Sequence, residues 1–170
     1  MASTHDYIAD KRNKDILIYI NGEFFHRSDA KVSVFDSGFL LGDGVWEGIR
    51  LYKNRLIHFN QHINRLYAGA DAIAMKIQLD KNELKDAVRL TLEKNAMHSD
   101  THIRLIVSRG IKSTPYQHPK VTIGDPTIVI IPEYKKPNSE VFDIGIRLAC
   151  LLYTSPSPRD RSLSRMPSSA

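Results

Sequence analysis

Two segments with helical hydrophobic spacing lie next to each other in the middle of the chain, with β-rich segments on both sides. Asn60 is the predicted N-cap of the first helix, whose apolar stripe comprises Ile63, Leu66, Tyr67, Ala70, Ala74 and Ile77. Asp80 and Glu83 have the spacing of a capping box, and the stripe of the second helix comprises Leu84, Ala87, Val88 and Leu92. This order of strands, two helices and further strands predicts an α+β fold, because βαβ units would alternate the two.

The β-rich segments carry their own local signals. Asn21 and Gly22 separate the apolar residues 16–20 from residues 23–25 and predict a hairpin, since both turn positions must tolerate a positive φ. Further strands are expected over residues 45–52, 102–108, 127–132 and 142–149. Residues 109–126 are predicted to form a long polar loop between two of these strands.

Composition excludes several classes of protein. The chain has 170 residues with a net charge of +5, of which +2 comes from residues 152–170, so the remaining charge is too weak for a nucleic-acid-binding surface. Cys150 is the single cysteine, which excludes an internal disulfide framework and a CxxC zinc motif. Neither an apolar run of about 18 residues nor an N-terminal signal segment is present, so a cytoplasmic protein is expected.

Short motifs taken singly indicate little chemistry. Gly42 and Gly44 lack the third glycine and following helix of a dinucleotide site. His58 and His62 have the spacing of metal ligands, but no acid or cysteine completes the set, so no metal is expected.

Longer stretches of sequence are more specific. Residues 36–50, DSGFLLGDGVWEGIR, and residues 62–66, HINRL, resemble the class IV (fold type IV) pyridoxal-phosphate-dependent aminotransferases. That family includes branched-chain and D-amino acid aminotransferases and 4-amino-4-deoxychorismate lyase. Matches at residues 20–23, 102–105 and 108–110 follow in the same order, so the resemblance spans residues 15–150. It implies the small N-terminal domain of such an enzyme.

The resemblance implies roles for individual residues. Arg65 matches the arginine that binds the cofactor phosphate, and a guanidinium is well suited to a phosphate dianion. Trp46 and Leu41 fall at positions of the substrate side-chain pocket. Arg104 matches an arginine that recognises a carboxylate, although His102 replaces the tyrosine that usually accompanies it.

The same comparison bears on the substrate. The carboxylate-binding Arg-x-His pair of D-amino acid enzymes would fall near Thr114 and Tyr116 and is absent, which favours transamination of a branched-chain-like amino acid with a 2-oxo acid. A D-amino acid aminotransferase or a 4-amino-4-deoxychorismate lyase remains the alternative within the family. A non-catalytic basic binding module is the alternative from another class.

The resemblance further implies a pyridoxal 5'-phosphate cofactor and a homodimer in which residues 110–119 lie across the subunit interface. The lysine that links to the cofactor belongs to the second, larger domain of this family, and none of the twelve lysines up to Lys136 matches it. We therefore expect this chain to contain no catalytic residue and to be inactive alone.

A division of the chain follows from these expectations. Residues 1–14 would form an N-terminal arm, 15–133 the small domain, 134–141 a linker and 142–151 the start of the second domain. Residues 152–170 are rich in Ser, Pro and Arg and have no apolar period. Their text resembles a translated library-adapter sequence, so a non-native extension is expected there.

Overall fold

The computed structural model describes residues 9–136, together with the isolated positions Asp143 and Gly145. Apart from those two positions, the strand expected over residues 142–149 and the extension over 152–170 lie outside the described residues. Within the described part of the chain, no helix combines the length and the apolar composition that crossing a bilayer would demand.

Eight strands, three α-helices and two short 3-10 helices make up this part of the chain. The strands are β1 (Leu17–Ile20), β2 (Glu23–His26), β3 (Gly44–Tyr52), β4 (Arg55–Leu56), β5 (Thr101–Ser108), β6 (Ile111–Lys112), β7 (Thr122–Ile123) and β8 (Thr127–Tyr134). The helices are α1 (Ser37–Leu41), α2 (Phe59–Ala72) and α3 (Lys81–Lys94), with 3-10 turns at Lys11–Asp15 and Pro119–Val121. The expected α+β class is confirmed.

Six of the strands form one antiparallel sheet in the order β2-β1-β8-β5-β3-β4. β5 lies at its centre and pairs over its whole length with β3 and β8. Side chains alternate between the two faces of a strand, and the alternate residues of β3 and β5 on one face are buried against α2 and α3. The fully buried core residues there include Ile49, Ile63, Leu66, Leu84, Val88, Ile103, Leu105 and Ile130.

The other face of the sheet has a different character. Trp46 of β3 is 61% exposed, and Arg104 of β5 is exposed beside it, whereas Ile106 and Ile131 are half-buried. No helix within residues 9–136 covers this face to the extent that α2 and α3 cover the first one. Residues 9–136 thus form two layers, and none of their helices covers the second sheet face, which we call the open face.

Local signals in the sequence specify the turn between β1 and β2 and the start of α3. Asn21 and Gly22 both adopt positive φ, 47° and 97°, in the turn between β1 and β2, as the predicted hairpin requires. At the start of α3, the Asp80 carboxylate accepts from the backbone N–H of Asn82 and Glu83, while Glu83 Oε2 accepts from the N–H of Asp80. Both predictions are confirmed.

The predicted limits of α2 are wrong at both ends. His58, in the left-handed region with φ 49°, is the N-cap residue instead of Asn60, and its carbonyl accepts from the N–H of His62. The buried Phe59 is therefore the first helical residue, since starting the helix there places its ring in the core. At the other end Ala74 adopts φ 51°, so Ala74 and Ile77 lie beyond the helix, although Ile77 is still buried.

The sequence also predicted too little structure in two places. Residues 37–41 form α1, where Asp36 caps the helix by accepting from the N–H of Gly38 and Gly42 ends it at φ 66°. The predicted loop contains β6 and β7, which pair with each other. Gly110 precedes β6 at φ 101°, and a Cβ there would clash with the carbonyl oxygen of Asp125, so only glycine fits.

Candidate active site

The candidate site lies along the part of β3 that precedes Leu51, at the edge of the strand that faces away from β5. Trp46 and Glu47 are consecutive, so their side chains lie on opposite faces of the sheet. β4 pairs with β3 at Leu51 and Tyr52. Among the described residues, no strand pairs with the outer edge of β3 before Leu51, so groups on both faces can approach a ligand placed at that edge.

On the helix-covered face, Glu47 binds two side chains of α2. The Arg65 guanidinium donates from Nε to Glu47 Oε1 and from Nη2 to Glu47 Oε2, both at 2.6 Å. His62 Nδ1 lies 2.8 Å from Glu47 Oε2. Because an ionised carboxylate can only accept, Nδ1 is the protonated nitrogen of this imidazole. The three side chains form a cluster that we call the Glu47 cluster.

Exposure differs sharply within the Glu47 cluster. The Glu47 side chain is 4% exposed, whereas that of Arg65 is 73% exposed. Hydrogen bonding by Arg65 holds the pKa of Glu47 below its ordinary value, against the opposing effect of burial, and His62 adds to the lowering. Glu47 in turn raises the pKa of Arg65. The cluster is therefore a buried carboxylate that holds a permanently charged, solvent-facing guanidinium.

The turn that leads into β3 is fixed by a second forked ion pair. Arg109 donates from Nε and Nη2 to the two carboxylate oxygens of Asp43, at 2.7 and 3.1 Å. The same guanidinium donates to the carbonyls of Ile73 and Ala74 just beyond α2. Gly44 completes the arrangement, since a Cβ there would lie 2.6 Å from the carbonyl oxygen of Val107. The start of β3 is thereby tied to the end of α2.

On the open face, Trp46 and Arg104 are in contact. The Arg104 guanidinium carbon lies 4.9 Å from the centroid of the Trp46 ring, within the range of a cation–π interaction. His102 lies on the same face, and Gly48 makes room for it because a Cβ at residue 48 would be 3.0 Å from His102 Nε2. Burial lowers the pKa of His102, and the neighbouring Arg50 lowers it further. His102 is therefore mainly neutral at pH 7, and Arg104 supplies the positive charge.

A cleft of about 370 Å³ extends from His102 and Arg104 towards β1. Its charged lining comprises Arg27, Arg104, Lys135 and Glu133, and Ile16, Ile18 and Ile131 supply apolar surface. Arg27 Nη1 lies 3.4 Å from Glu133 Oε1, so these two charges compensate each other. Arg104 and Lys135 then give the cleft a net positive charge, which suits a carboxylate.

The structure brings some of the sequence-predicted residues together and separates others. Trp46 and Arg104 touch on the open face, whereas Arg65 lies with Glu47 on the opposite face, joined to Trp46 only through the backbone of β3. Leu41 is the last residue of α1, is partly exposed, and is separated from β3 by the turn that Arg109 holds. Trp46 and Arg104 are thus in contact with each other, and they do not form a single contact cluster with Arg65 and Leu41.

Glu47, Asp43 and Arg109 lie within the family motifs but are assigned no role from the sequence, and His62 is considered there as a metal ligand and as part of the motif at residues 62–66. A usable signal exists for Glu47, which interrupts the inward-facing apolar series of Val45, Ile49 and Leu51. An acid at an inward-facing position of a strand requires a cationic or hydrogen-bonding partner.

Comparison with known proteins agrees with this architecture. A family model described as amino-transferase class IV matches residues 44–167. Branched-chain-amino-acid aminotransferase-like protein 1 of Arabidopsis thaliana is 38% identical over 125 residues, which are 74% of this chain and 22% of that protein. A D-alanine aminotransferase of Listeria monocytogenes is 35% identical over 101 residues, which are 59% of this chain and 34% of that protein.

Solved structures give the same result. The branched-chain aminotransferase of the thermophilic archaeon Thermoproteus uzoniensis, in complex with norvaline, superposes with a TM-score of 0.60 at 26% identity. The match covers 70% of this chain and 40% of that one. This chain belongs to the class IV aminotransferase family. It spans about a fifth to two fifths of the length of these three proteins.

Proposed function

We propose that this chain is the cofactor- and substrate-binding small domain of a pyridoxal-phosphate-dependent aminotransferase, and that the complete enzyme transfers an amino group between a branched-chain-like amino acid and a 2-oxo acid. The observation that carries the proposal is the anchored but exposed guanidinium of Arg65 beside the open edge of β3. Family membership supplies the reaction class.

Arg65 fits the phosphate group of pyridoxal 5'-phosphate. Two of its nitrogens bind Glu47, and within the described part of the chain Nη1 makes no hydrogen bond. Guanidinium donors that are fixed on one side and open on the other suit a phosphate oxygen. When bound, pyridoxal phosphate supplies an electron sink for negative charge at the α-carbon of the amino acid.

The open sheet face would bind the amino acid. Trp46 offers a large apolar ring, and Arg104 offers a charge for a carboxylate while it stacks on that ring. The neutral imidazole of His102 leaves Arg104 as the main cation of the pair. Leu41, on the other side of the turn into β3, would add apolar surface for the substrate side chain.

We also propose that the complete enzyme is a homodimer. Val34 and Phe39 near α1, and Tyr116 and Ile123 around the β6–β7 hairpin, are each more than half exposed. The two segments are joined, because the N–H of Lys112 donates to the carbonyl of Phe35. Exposed apolar side chains on two segments that are bonded to each other favour an interface between protein copies. Light scattering of the complete enzyme should show a dimer that Phe39→Glu dissociates.

Replacing Arg65 with Ala tests the cofactor proposal in the complete enzyme. Losing charged hydrogen bonds to a phosphate should weaken pyridoxal phosphate binding roughly tenfold to a hundredfold, measured by equilibrium dialysis. Arg89→Ala is the matched control, since Arg89 is also an exposed helical arginine paired with an acid, Asp86. Equal cofactor affinity in both variants would exclude Arg65 from the phosphate site.

Substrate assays distinguish the alternatives within the family. With 2-oxoglutarate as acceptor, we expect turnover of L-leucine and L-valine to exceed that of D-alanine, and Trp46→Ala to raise KM for L-leucine more than for L-alanine. Release of a product by elimination without a 2-oxo acid would instead indicate a lyase. A protein that binds no pyridoxal phosphate would support the non-catalytic module.

A further inference from the structure

The Glu47 cluster contains an acid that the proposed phosphate contact does not by itself require. Placing a carboxylate beside an anion-binding arginine reduces the positive charge of the site, and burying that carboxylate is costly unless it is fully paired. Glu47 is nevertheless buried, with Arg65 and His62 both bonded to it. The arrangement must therefore be judged by what it does to the geometry of Arg65.

Glu47 is held more firmly than the arginine that it binds. It lies within β3, and its backbone is in register with the fully buried Leu105 of β5. His62, one helical turn before Arg65 on α2, contacts Oε2 and so limits rotation of the carboxylate. Two guanidinium nitrogens bond to this fixed carboxylate, which sets the plane of the guanidinium as well as its position.

Within residues 9–136, the other surface arginine pairs lack a buried anchor. In the pair of Arg89 and Asp86 both side chains are more than half exposed, and exposed pairs of this kind hold neither partner in one geometry. In the Glu47 cluster, by contrast, the carboxylate is buried and the arginine extends into solvent. That asymmetry is suited to presenting a cation in one orientation.

We propose that Glu47 is a positioning residue, which holds the guanidinium of Arg65 through Nε and Nη2 so that its Nη1 side faces a bound phosphate group. The inference rests on the proposed function for its ligand but concerns a contact within this chain. It predicts that removing the negative charge of Glu47 weakens phosphate binding, although simple electrostatics predicts the opposite.

The first experiment measures the order of Arg65 in the complete 170-residue chain without any ligand. The Nε–H signal of Arg65 in a nitrogen–proton NMR correlation should be sharp and protected from exchange with water, and Glu47→Gln should abolish that protection. Glu133→Gln is the control, since it removes the same charge from another acid that lies near an arginine. A protected signal in Glu47→Gln would overturn the proposal, whatever the chain binds.

The second experiment titrates the same chains with inorganic phosphate. Arg65→Ala must weaken binding relative to wild type if Arg65 is an anion site at all, so this variant tests the proposed function separately. Glu47→Gln should then weaken phosphate binding by roughly fivefold, the scale of a charge-assisted hydrogen bond lost in part. Tighter phosphate binding in Glu47→Gln would show that Glu47 acts as a counter-charge only and would refute positioning.

A conservative variant and backbone amide spectra test whether the substitutions disturb the fold. Glu47→Asp keeps the charge but shortens the side chain, so we expect protection of Arg65 and phosphate affinity to fall below those of wild type. Backbone amide spectra of all variants must retain the β5 and β8 signals of wild type. If Glu47→Asp behaves as Glu47→Gln with those signals intact, reach as well as charge is needed, which the bidentate geometry requires. If Glu47→Asp behaves as wild type while Glu47→Gln differs, charge alone is sufficient and the bidentate argument is wrong.

Discussion

Arg65 and Arg109 each form a forked ion pair with a carboxylate distant in the sequence, yet the exposure of the two pairs differs. Arg109 is 13% exposed, its partner Asp43 is 22% exposed, and its remaining donors bind the carbonyls of Ile73 and Ala74. Arg65 is largely exposed, and only its acid is buried. The same chemical pair therefore serves to fix a turn in one place and to present a cation in the other.

The difference follows from where each arginine is attached. Arg109 comes directly after β5 and reaches back across the start of β3, where polar groups at the end of α2 surround it. Arg65 lies on α2 and bonds to Glu47 on the face of β3 that the helices cover. The Arg109 guanidinium bonds to other protein groups through all three of its nitrogens, whereas Nη1 of Arg65 makes no hydrogen bond among the described residues and can bind a ligand.

The largest expected effect is on stability, and it separates the two arginines. Arg109→Ala leaves a partly buried carboxylate and two carbonyls without a donor, so we expect a loss of about 3 kcal/mol in the free energy of unfolding. Arg65→Ala also leaves a buried carboxylate short of a partner, but Glu47 retains His62, so we expect a smaller loss than for Arg109→Ala. Urea unfolding followed by circular dichroism measures both. Equal losses of unfolding free energy in the two variants would contradict the expected difference between Arg109 and Arg65.

Among the described residues, the buried Lys112 has no carboxylate partner, unlike Arg65 and Arg109. Lys112 is 1% exposed, and in the described part of the chain neither its Nζ nor Oγ1 of the paired Thr122 has a hydrogen-bond partner. Lys112→Met removes an unpaired buried charge at similar volume, so we expect a gain of about 1–2 kcal/mol in unfolding free energy. Lys120→Met, at an exposed position of the same loop, should change nothing measurable. Destabilisation by Lys112→Met would imply that Nζ has a partner after all.

Acid unfolding tests how much the ion pair between Glu47 and Arg65 stabilises the fold. Its pKa is lower in the folded chain than the ordinary value of 4.5, so its ionisation stabilises the fold above that pH, and this stabilisation is lost as pH falls through the folded pKa. Arg65→Ala removes the first cause of the lowering and should move the acid transition to a higher pH. Arg89→Ala is the control, since both side chains of the pair of Arg89 and Asp86 are more than half exposed, and it should leave the transition unchanged. An unshifted transition in Arg65→Ala would contradict the coupling.

The smallest expected effect concerns the open face, where Arg104 has an aromatic partner instead of an acid. The pKa of His102 is lowered from 6.5, so the unfolded chain binds a proton there more readily, and stability decreases as pH falls below 6.5. The loss between pH 7 and pH 5 should stay below about 1 kcal/mol, and His102→Gln should abolish it. His98→Gln, at an exposed position, should leave it unchanged. Unfolding curves at both pH values provide the measurement.

What the sequence determined by itself is the local structure whose cause lies within a few residues. The hairpin at Asn21 and Gly22 and the capping box at Asp80 and Glu83 depend on backbone conformation and on hydrogen bonds between near neighbours. The family motifs around Trp46 and Arg65 likewise mark the site without showing its geometry.

Tertiary structure alone decided the contacts between distant residues and the boundaries that packing sets. Arg65 meets Glu47 from 18 residues away and Arg109 meets Asp43 from 66, and no periodicity encodes which acid each arginine binds. The start of α2 at Phe59 instead of after Asn60 has the same origin, because burial of an aromatic ring outweighs a side-chain cap. Local preferences are small free energies, and the packing of a strand against a helix overrides them.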